Sequence, residues 1–479
     1  MNLIVVFLCV KSLSIDWSIE TVDTLYMNNE LNYNHSLALD SNEIPHMIFN
    51  KNQKHVLKYA TRIAANNWVK ETVDSGLFYA CPKIAFDRNN IAHCSYFEVT
   101  GNLARLYHAY RDSTGWIKTP VDSILGIITN YWFSFGYFYT SMALDTLNRP
   151  AIAFISWDPA DSVFYVKCDR FNGITWDTTV VEYDSAWSPH VQPSDWSPSL
   201  KINHNNTTYL TYYHIFSQYD TIKLARWSDS INNWIKEPSI NEPYGGVSIE
   251  MGINQQDKPS IAHGVDVGLC WSYFDSLTWQ TEYTGIDIGW ISTHITMDLD
   301  QNDKPHIFFH GDPLTGLGYC YKDSVWNTGV WLDTAVHNHM GEVCLELDRS
   351  DSPHVSFRFS DFDTAGVKYA KGTILGVSDE NGADQIDPIS IVLYPNPFRN
   401  KIRIAAGENL ELGCQFLNIY DITGRLVKRL DLRSNTSGRL LEFYWDGKDD
   451  KDNSLPSGIY FVQLKSRGGM FTKKIIKLE

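Results

Sequence analysis

The sequence predicts an all-β protein that consists mainly of a seven-bladed β-propeller, and a repeated unit carries this prediction. Its first copy lies between Ser36 and Asp74 and divides into four short stretches that alternate apolar with polar residues, as half-buried strands do. Turn residues such as Asp40-Ser41-Asn42 separate these stretches. A repeat of roughly 40–60 residues with four strands is typical of a propeller blade.

Two markers within the repeat count the blades. The first is a Pro-His pair in the second strand, which occurs in complete or degenerate form at Pro45-His46, Ala92-His93, Pro150-Ala151, Tyr209-Leu210, Pro259-Ser260, Pro305-His306 and Pro353-His354. The second is a tryptophan that opens the fourth strand, at Trp68, Trp116, Trp176, Trp234, Trp279 and Trp331. Both markers predict seven blades, of which the last lacks its tryptophan strand.

The missing strand is found near the start of the chain. Residues 16–23 (DWSIETVD) match residues 67–74 (NWVKETVD), the fourth strand of the first blade, almost position for position. We therefore expect the N-terminal strand to complete the last blade and close the ring, which removes two exposed sheet edges. The predicted blades span 36–74, 83–122, 141–184, 199–240, 248–284, 294–334 and 344–371. Aromatic insertions at 123–140 and 185–198 interrupt the series.

The remaining sequence predicts three further segments. Residues 1–14 contain a short apolar run before Ser12-Leu13-Ser14 and are typical of a truncated signal peptide, with a buried first strand as the alternative. The propeller then occupies 15–371, and the small, polar, acidic residues 372–389 form a linker. Residues 390–479 contain alternating strands with turn signals, which predict a β-sandwich.

Charge and cysteine content narrow the range of partners. Residues 391–479 carry 15 Lys and Arg against 10 Asp and Glu, whereas the rest of the chain carries 25 against 46. An acidic propeller argues against nucleic acid as a partner, and we expect a monomer.

Most of the eight cysteines fall in strands of different blades, so we expect mainly free thiols. No Cys/His metal spacing occurs, although the turn 446–452 (DGKDDKD) could hold Ca²⁺.

The C-terminal motifs resemble a known family. They are YPNPF at 394–398, NIYDITGRLVKRL at 418–430, YWDGKDDKDNSLPSGIYFVQLK at 444–465 and KKIIKLE at the end of the chain. This segment resembles the C-terminal sorting domain of type IX secretion cargo, and equally the Ig-like domain of flagellar hook-capping proteins. The sorting resemblance implies contact of residues 390–479 with the type IX secretion machinery. It also implies export through the periplasm, followed by release or attachment at the outer cell surface.

The propeller is more loosely similar to sialidase-type BNR propellers. Their Asp-box precedes the fourth strand, and here only its Thr-Trp or Gly-Trp end is present, at Thr175-Trp176, Thr278-Trp279 and Gly115-Trp116. The resemblance implies an arginine triad, a Tyr/Glu pair and an acidic Asp for catalysis. The arginines of this chain are few and scattered and do not predict such a site.

Candidate ligand-binding residues lie on loops that share one face of a propeller. These are the loops between second and third strands and between blades, where aromatic, His and Asp side chains could stack on and hydrogen-bond a sugar ring. The candidates are Trp132, Trp157, Asp158, Trp187, Trp196, His214, His263, Asp266, Trp290, His310, Asp312, His337, His339, Arg358 and Asp361. The repeated His46, His93, His306 and His354 are expected to be structural, because each blade needs the same side-chain bond.

These features predict a secreted or surface-displayed propeller that binds a glycan or an extracellular protein without catalysis and without a cofactor. The alternative is a sialidase-like glycoside hydrolase or polysaccharide lyase that acts at the channel face. Two-carboxylate glycosidase chemistry requires a defined separation of the two groups. The sequence does not provide that distance.

Overall fold

The computed structural model describes 14–26, 34–51, 55–125, 140–158, 160, 163–184, 198–216, 219–242, 245–265, 268–275, 278–286, 294–310, 316–333, 342–360, 364–375, 391–394, 398–399, 401–406, 416–422, 425–431, 441–451, 453–466 and 469–478. These residues form strands and turns, and none of them is helical. A search of the same residues for a helix long and apolar enough to span a membrane finds none. The chain divides into two compact units, Ser14–Leu375 and the part from Gly376 onwards.

The first unit consists of seven antiparallel sheets, the blades, which follow one another along the chain. Blades 1 to 3 contain β2 (His35–Leu39), β3 (Pro45–Lys51), β4 (Val56–Ala64) and β5 (Asn67–Ser75); β6 (Phe78–Phe86), β7 (Ala92–Thr100), β8 (Leu103–Asp112) and β9 (Gly115–Leu125); β10 (Thr140–Leu144), β11 (Pro150–Asp158), β12 (Val163–Phe171) and β13 (Trp176–Asp184). Blade 4 contains β14 (Ser199–Ile202), β15 (Thr208–Phe216), β16 (Tyr219–Ser228), β17 (Asn233–Lys236) and β18 (Ile240–Glu242). The last two strands of blade 4, β17 and β18, both pair with β16. Pro238 lies between them, and because its ring nitrogen has no N–H to donate, the pairing is interrupted there.

Blades 5 to 7 complete the ring. They contain β19 (Gly245–Ile253), β20 (Pro259–Val265), β21 (Gly268–Phe274) and β22 (Trp279–Tyr283); β23 (Ile295–Leu299), β24 (Pro305–His310), β25 (Leu317–Lys322) and β26 (Trp326–Asp333); β27 (Val343–Leu347), β28 (Pro353–Ser360) and β29 (Thr364–Leu375) with the N-terminal β1 (Ser14–Tyr26). The prediction of seven blades is therefore confirmed.

The N-terminal strand closes the ring as predicted. Strand β1 pairs antiparallel with β29 from Ser14 opposite Leu375 to Tyr26 opposite Thr364. Val22, which is 2% exposed, packs in one cluster with residues of blades 1 and 7. A strand from one end of the chain thus supplies the outer edge of the last blade.

One predicted marker was wrong. The fourth strand of blade 6 begins at Trp326, which pairs with Lys322, and Trp331 lies within that strand opposite Gly318. The turn before the strand is short, because the N–H of Asp323 donates to the carbonyl of Val325 at 3.0 Å. The sequence contains two tryptophans five residues apart, and the repeat spacing alone did not identify which of them opens the strand.

The turns between first and second strands are built alike in every blade. The first residue is Asp or Asn, whose Oδ1 accepts backbone N–H groups two and four residues later; for Asp40 these distances are 2.8 Å to Asn42 and 2.9 Å to Ile44. The fourth residue has a positive φ, for example 63° at Glu43. The first residues of the other turns are Asp87, Asp145, Asn203, Asn254, Asp300 and Asp348.

These turns are also joined to one another, and we call the result the turn ring. The backbone N–H of the second turn residue in each blade donates to the side chain of the positive-φ residue in the next blade. Five of the links run from Ser41 to Asn90, Arg88 to Asn148, Thr146 to Asn206, His204 to Asp257 and Gln255 to Asp303. The last two run from Gln301 to Asp351 and from Arg349 to Glu43, the latter at 2.8 Å. A closed ring of seven hydrogen bonds therefore surrounds one end of the propeller.

The hydrophobic core lies between neighbouring blades. Ile48 and Tyr59 of blade 1 pack with Tyr79, Cys94 and Tyr96 of blade 2 in one buried cluster. Cys94, Cys168 and Cys320 are buried free thiols in second or third strands of different blades, as expected for most of the cysteines.

The C-terminal unit contains two antiparallel sheets. One has the order β30 (Ile391–Tyr394), β31 (Ile402–Ala406), β34 (Leu441–Trp445), and the other has the order β33 (Leu426–Asp431), β32 (Phe416–Asp421), β35 (Gly458–Ser466), β36 (Gly469–Lys477). Ile402, Ile404, Ile419 and Val462 are fully buried, in agreement with the alternating apolar pattern.

Candidate functional site

The first strands of all seven blades line a central channel. Its cavity measures about 150 Å³, and its lining includes Lys83, Lys201, Glu250, His294, Glu342 and Glu346. The first strands supply this lining: apolar residues such as Leu37 and Met297 border the cavity and also pack in the buried clusters between blades, and polar residues of the same strands complete the lining. The channel is therefore polar and narrow.

Paired charges occupy the channel near blades 1, 2 and 7. Lys83 Nζ lies 3.3 Å from Glu342 Oε1, and the other oxygen of Glu342 accepts the backbone N–H of His35 at 3.1 Å. Burial lowers the pKa of His35 to about 4, so its ring is neutral at pH 7. Both oxygens of Glu342 are thus occupied by groups of the protein itself.

A second charged group lies further along the channel. Lys201 Nζ is 3.1 Å from Glu250 Oε1, and Asp298 Oδ2 accepts the backbone N–H of Leu347 at 2.9 Å. Burial raises the pKa of Glu346 to about 8, and Asp298 adds to this rise while Lys201 opposes it. These surroundings favour the protonated form of Glu346 more than those of an ordinary glutamate do. Across the described part of the chain, no three metal-ligating side chains come together in a metal-binding arrangement.

A larger cavity lies away from the channel, between blades 1 and 2. It measures about 580 Å³, and its lining includes Thr61, Val69, Glu71, Phe86, Ile91, Arg111 and Asp112. Asp40 and Asn90 from the turn ring also line it, so this cavity lies at the end of the propeller that carries the turns between first and second strands. We call it the blade 1–2 cleft.

The recurring histidines are held within their own blades. His46 Nδ1 lies 2.6 Å from the hydroxyl of Tyr59, and His354 Nδ1 lies 2.7 Å from the hydroxyl of Tyr369. His354 Nε2 is also 3.2 Å from the turn residue Asp348. These histidines thus connect the turn, the second strand and the third strand of one blade. This agrees with the expectation that they have a structural role.

The arginines of the propeller are spread over several blades. Arg62 pairs with Glu20 at 2.7 Å, Arg111 with Glu71 at 2.6 Å, and Arg170 stacks on Trp227 with 3.4 Å to the ring centroid. Further ion pairs are Arg105 with Glu98, Arg149 with Asp145, Arg226 with Glu237 and Arg349 with Glu43. These arginines do not form a cluster that could clamp a carboxylate.

The candidate residues from the sequence fall into two groups. Of those with described side chains, Asp158 accepts the backbone N–H of Ala160 at 2.8 Å, His263 Nε2 bonds to Ser272 Oγ at 2.8 Å, and His310 and Arg358 are each 4% exposed. Trp157 and His214 lie in β11 and β15. The others lie outside the described residues: Trp132, Trp187, Trp196, Asp266, Trp290, Asp312, His337, His339 and Asp361.

None of these candidates lines the blade 1–2 cleft. Antiparallel strands place the loops between second and third strands at the opposite end of each blade from the turns between first and second strands. The candidates lie on loops rich in aromatic and charged residues, whereas the cleft lies at the other end of the propeller.

Comparison with known proteins identifies the C-terminal part of the chain. Residues 392–478 match the family model described as the secretion system C-terminal sorting domain. No curated protein matches the chain.

Several solved structures are similar to this chain at low sequence identity. The lectin of Aleuria aurantia is 10% identical, with 73% of this chain and 97% of that chain covered and a TM-score of 0.41. A Hadza microbial sialidase is 9% identical over 67% and 75% of the two chains, with a TM-score of 0.39. PorZ, a surface component of the type-IX secretion system of Porphyromonas gingivalis, is 10% identical over 92% and 75%, with a TM-score of 0.31. Similarity at this level does not bear on ligand or activity.

The family match therefore confirms the resemblance of the C-terminal segment to a type IX sorting domain. A sorting domain of this kind directs its protein to the cell surface or the medium. Residues 392–478 belong to the secretion system C-terminal sorting domains, and the protein is exported by that route.

Proposed function

We propose that this exported protein uses its propeller to bind a glycan or an extracellular protein, as a monomer and without turnover. The observation that carries this proposal is the state of its charged groups. Lys83 and Glu342, Lys201 and Glu250, and Arg111 and Glu71 are already paired with each other. Catalysis requires an acid, base or nucleophile in the required protonation state within reach of a substrate, whereas binding requires contact groups but no such reactive group.

The dimensions of the cavities support the same proposal. Ligand pockets measure roughly 300–1,000 Å³. The channel, at about 150 Å³, is smaller than this range, and the blade 1–2 cleft, at about 580 Å³, falls within it. The residues that could act as acid or base in the channel therefore lie where a sugar ring has little space.

A glycan array and an activity screen of the purified full-length protein test the proposal together. We expect binding to a subset of glycans or to an extracellular protein, and no release of product from chromogenic glycosides or polysaccharides. Turnover that a single Asp or Glu substitution in the propeller abolishes would overturn the non-catalytic interpretation.

A second candidate function, glycoside hydrolysis or lyase chemistry in the channel, has one observation in its favour. Glu346 has a raised pKa and Asp298 is its neighbour, and a protonated carboxylic acid beside a second carboxylate is the usual apparatus of a glycosidase. Glu346→Gln should then remove any hydrolysis found in the screen. If wild type and variant release product at the same rate, this site is not the source of the activity.

We also propose that the C-terminal sheets form an Ig-like sandwich that serves as an address and is separate from the binding part. The buried Ile402, Ile404, Ile419 and Val462 supply apolar residues for a core of its own. Residues 390–479, fused to a periplasmic reporter in a host with type IX machinery, should carry that reporter to the surface. A fusion that stays periplasmic, while a known sorting domain is exported in parallel, would contradict this role.

A further inference from the structure

We propose that the blade 1–2 cleft is a binding site for one uncharged sugar residue. This inference rests on the proposed binding function and specifies where the ligand is held and what its chemistry is. It depends on four observations: the absence of a large side chain at one repeat position, a polar wall, an apolar wall and the charge of the lining.

The cleft is open because of Thr61. In blade 1, the second residue of β3, His46, pairs with Thr61 of the third strand β4. The equivalent second-strand residue of every other blade also pairs with one residue of its third strand. The residues that face the second strand at this register in the other blades are Tyr110, Arg170, Arg226, Tyr273, Tyr321 and Lys371. All six are much larger than threonine. Blade 1 therefore carries the smallest side chain of the seven blades at this position.

One wall of the cleft presents hydrogen-bond donors beside acceptors. Arg111 Nε and Nη2 donate to the two oxygens of Glu71 at 2.6 and 3.2 Å, and Trp116 Nε1 donates to Glu71 Oε1 at 2.8 Å. The Arg111 and Glu71 side chains are still 46% and 36% exposed. A guanidinium has five N–H groups and a carboxylate about four acceptor sites. Both side chains thus retain bonding capacity for neighbouring hydroxyl groups, each of which donates and accepts.

The remaining surface of the cleft is mostly apolar. Phe86, Ile91 and Ala92 line it, and Val69, which is 54% exposed, lies at its edge. The ring of Phe86 is 4.6 Å from that of His46, centroid to centroid, which fixes its position. Apolar faces with a few placed polar groups are typical of small-ligand sites. A pyranose has the matching form, with C–H groups on its faces and hydroxyl groups at its edge.

The charge of the lining selects against acidic sugars. Asp40, Glu71 and Asp112 are carboxylates, and Arg111 supplies one positive charge. The hydroxyl and N–H of Thr114 donate to Asp112 and lower its pKa, so it stays ionised. Burial lowers the pKa of His46 and keeps that ring neutral at pH 7. A sialic acid or uronate would meet net repulsion, whereas a neutral hexose, deoxyhexose or N-acetylhexosamine would not.

The test uses the full-length protein and methyl glycosides of neutral sugars, with N-acetylneuraminic acid and glucuronic acid as acidic comparisons. Saturation-transfer NMR detects binding, and calorimetric titration measures Kd. Thr61→Tyr places in blade 1 the side chain that blades 2, 5 and 6 carry, and we expect it to weaken binding at least tenfold. Thr61→Ser should retain binding within about twofold, since it keeps the cleft open and the hydroxyl in place.

A second variant keeps the proposal falsifiable if Thr61→Tyr does not fold. Arg111→Ala is a change at a half-exposed side chain, and we expect it to weaken binding about tenfold with little change in Tm. Its matched control is Arg226→Ala in blade 4, which should leave Kd unchanged.

The possible outcomes separate this proposal from the proposed function. If the array shows glycan binding that neither Thr61→Tyr nor Arg111→Ala weakens, the cleft is not the site, although the binding function holds. If the acidic sugars bind more tightly than the neutral ones, the ligand class is wrong. If the protein binds neither glycans nor proteins, the proposed function itself fails.

Discussion

The two clefts on either side of blade 1 contain the same three kinds of side chain and differ in how far these are exposed. In the cleft between blades 7 and 1, Arg62 and Trp68 donate to Glu20, at 2.7 and 3.0 Å. In the blade 1–2 cleft, Arg111 and Trp116 donate to Glu71. Glu20 is 2% exposed, whereas the Glu71 side chain is 36% exposed.

The third strand of each cleft explains part of the difference. Lys371 stands opposite His354 and donates to Asp348 at 2.8 Å, whereas its counterpart in the blade 1–2 cleft is Thr61. Lys371 is a much longer side chain than Thr61 at the same register position, and we call the cleft between blades 7 and 1, with its buried Glu20, the closed cleft. The same arginine–glutamate–tryptophan unit therefore joins two blades in one cleft and forms the wall of a cavity in the other. The residue that differs between the two clefts, Lys371 or Thr61, lies outside this unit.

The largest effect should come from removing one side of the closed cleft. Deletion of residues 15–23 takes away most of β1, including Glu20 and the buried Val22, and leaves β29 with an unpaired edge. We expect aggregation or loss of a cooperative melting transition. Deletion of 390–479 is the control and should leave the propeller transition in place. An unchanged Tm after the first deletion would disprove the closure by β1.

Single substitutions of Glu20 and Glu71 test whether exposure distinguishes the two clefts beside blade 1. Glu20→Ala leaves Arg62 and the Trp68 N–H without their buried acceptor, which should lower the free energy of unfolding by about 2–4 kcal/mol. Glu71→Ala acts on a pair that is largely solvated, and should cost about 0–1 kcal/mol. Urea unfolding of both variants at the same pH measures the difference. Equal costs would show that exposure does not distinguish the two clefts.

Lys371 makes the closed cleft sensitive to acid. Burial alone would raise the pKa of Asp348, but hydrogen bonds from Lys371, from the backbone of Ser352 and Ser350 and from His354 outweigh it and lower this pKa to about 2. A depressed carboxyl pKa contributes stability above the unfolded-state value near 3.8, and this contribution is lost as the pH falls towards 2.

Lys371→Thr copies the open cleft and should reduce that contribution. We expect a lower free energy of unfolding at pH 7 and a smaller loss between pH 4 and pH 2 than in the wild type. The control is Lys58→Thr, in which the lost bond joins an exposed lysine to Thr72 and not to a carboxylate. The assignment would be refuted if Lys371→Thr and the wild type lost stability equally between these pH values.

The fold could be predicted from the sequence because its signals are local and repeated. Turn residues and alternating strands recur in each blade, and residues 16–23 match 67–74 closely enough to show where the last strand is. The error at Trp331 arose because blade 6 has two tryptophans five residues apart, and only the pairing of Trp326 with Lys322 decides between them. Register is a property of two strands and is weakly encoded in either one.

The blade 1–2 cleft could not be predicted in the same way. The candidates from the sequence are unusual residues, whereas the cleft results from an ordinary Thr61 at a position where the other blades carry a large side chain. Recognising it requires the register of seven strand pairs, which includes degenerate copies such as Tyr209 opposite Arg226. Once the seven repeats are aligned in that register, the sequence does show that Thr61 is the small residue among six large ones.

The smallest effect is expected at Glu43, where the turn ring passes through the closed cleft. Its counterpart in the blade 1–2 cleft is Asn90, and the other five positive-φ residues of the ring are also Asn or Asp. Glu43 has a φ of 63°, a conformation that Asn adopts more readily than Glu does. Its side chain accepts the N–H of Arg349 at 2.8 Å, and Asn90 accepts its equivalent at 2.7 Å, so a shorter side chain reaches as well.

Glu43→Asn should therefore change the free energy of unfolding by no more than about 0.5–1 kcal/mol, and in the stabilising direction, because it keeps the hydrogen bond and relieves backbone strain. Glu43→Ala loses the bond and keeps the strain, so it should cost about 1 kcal/mol. Asn206→Ala, the matched change in blade 4, should cost about as much. Urea unfolding midpoints of the three variants give the order. If Glu43→Asn is less stable than Glu43→Ala, the closed cleft needs the longer side chain for a reason other than the turn ring. Glu43 and Asn90 would then not have equivalent roles in the two clefts.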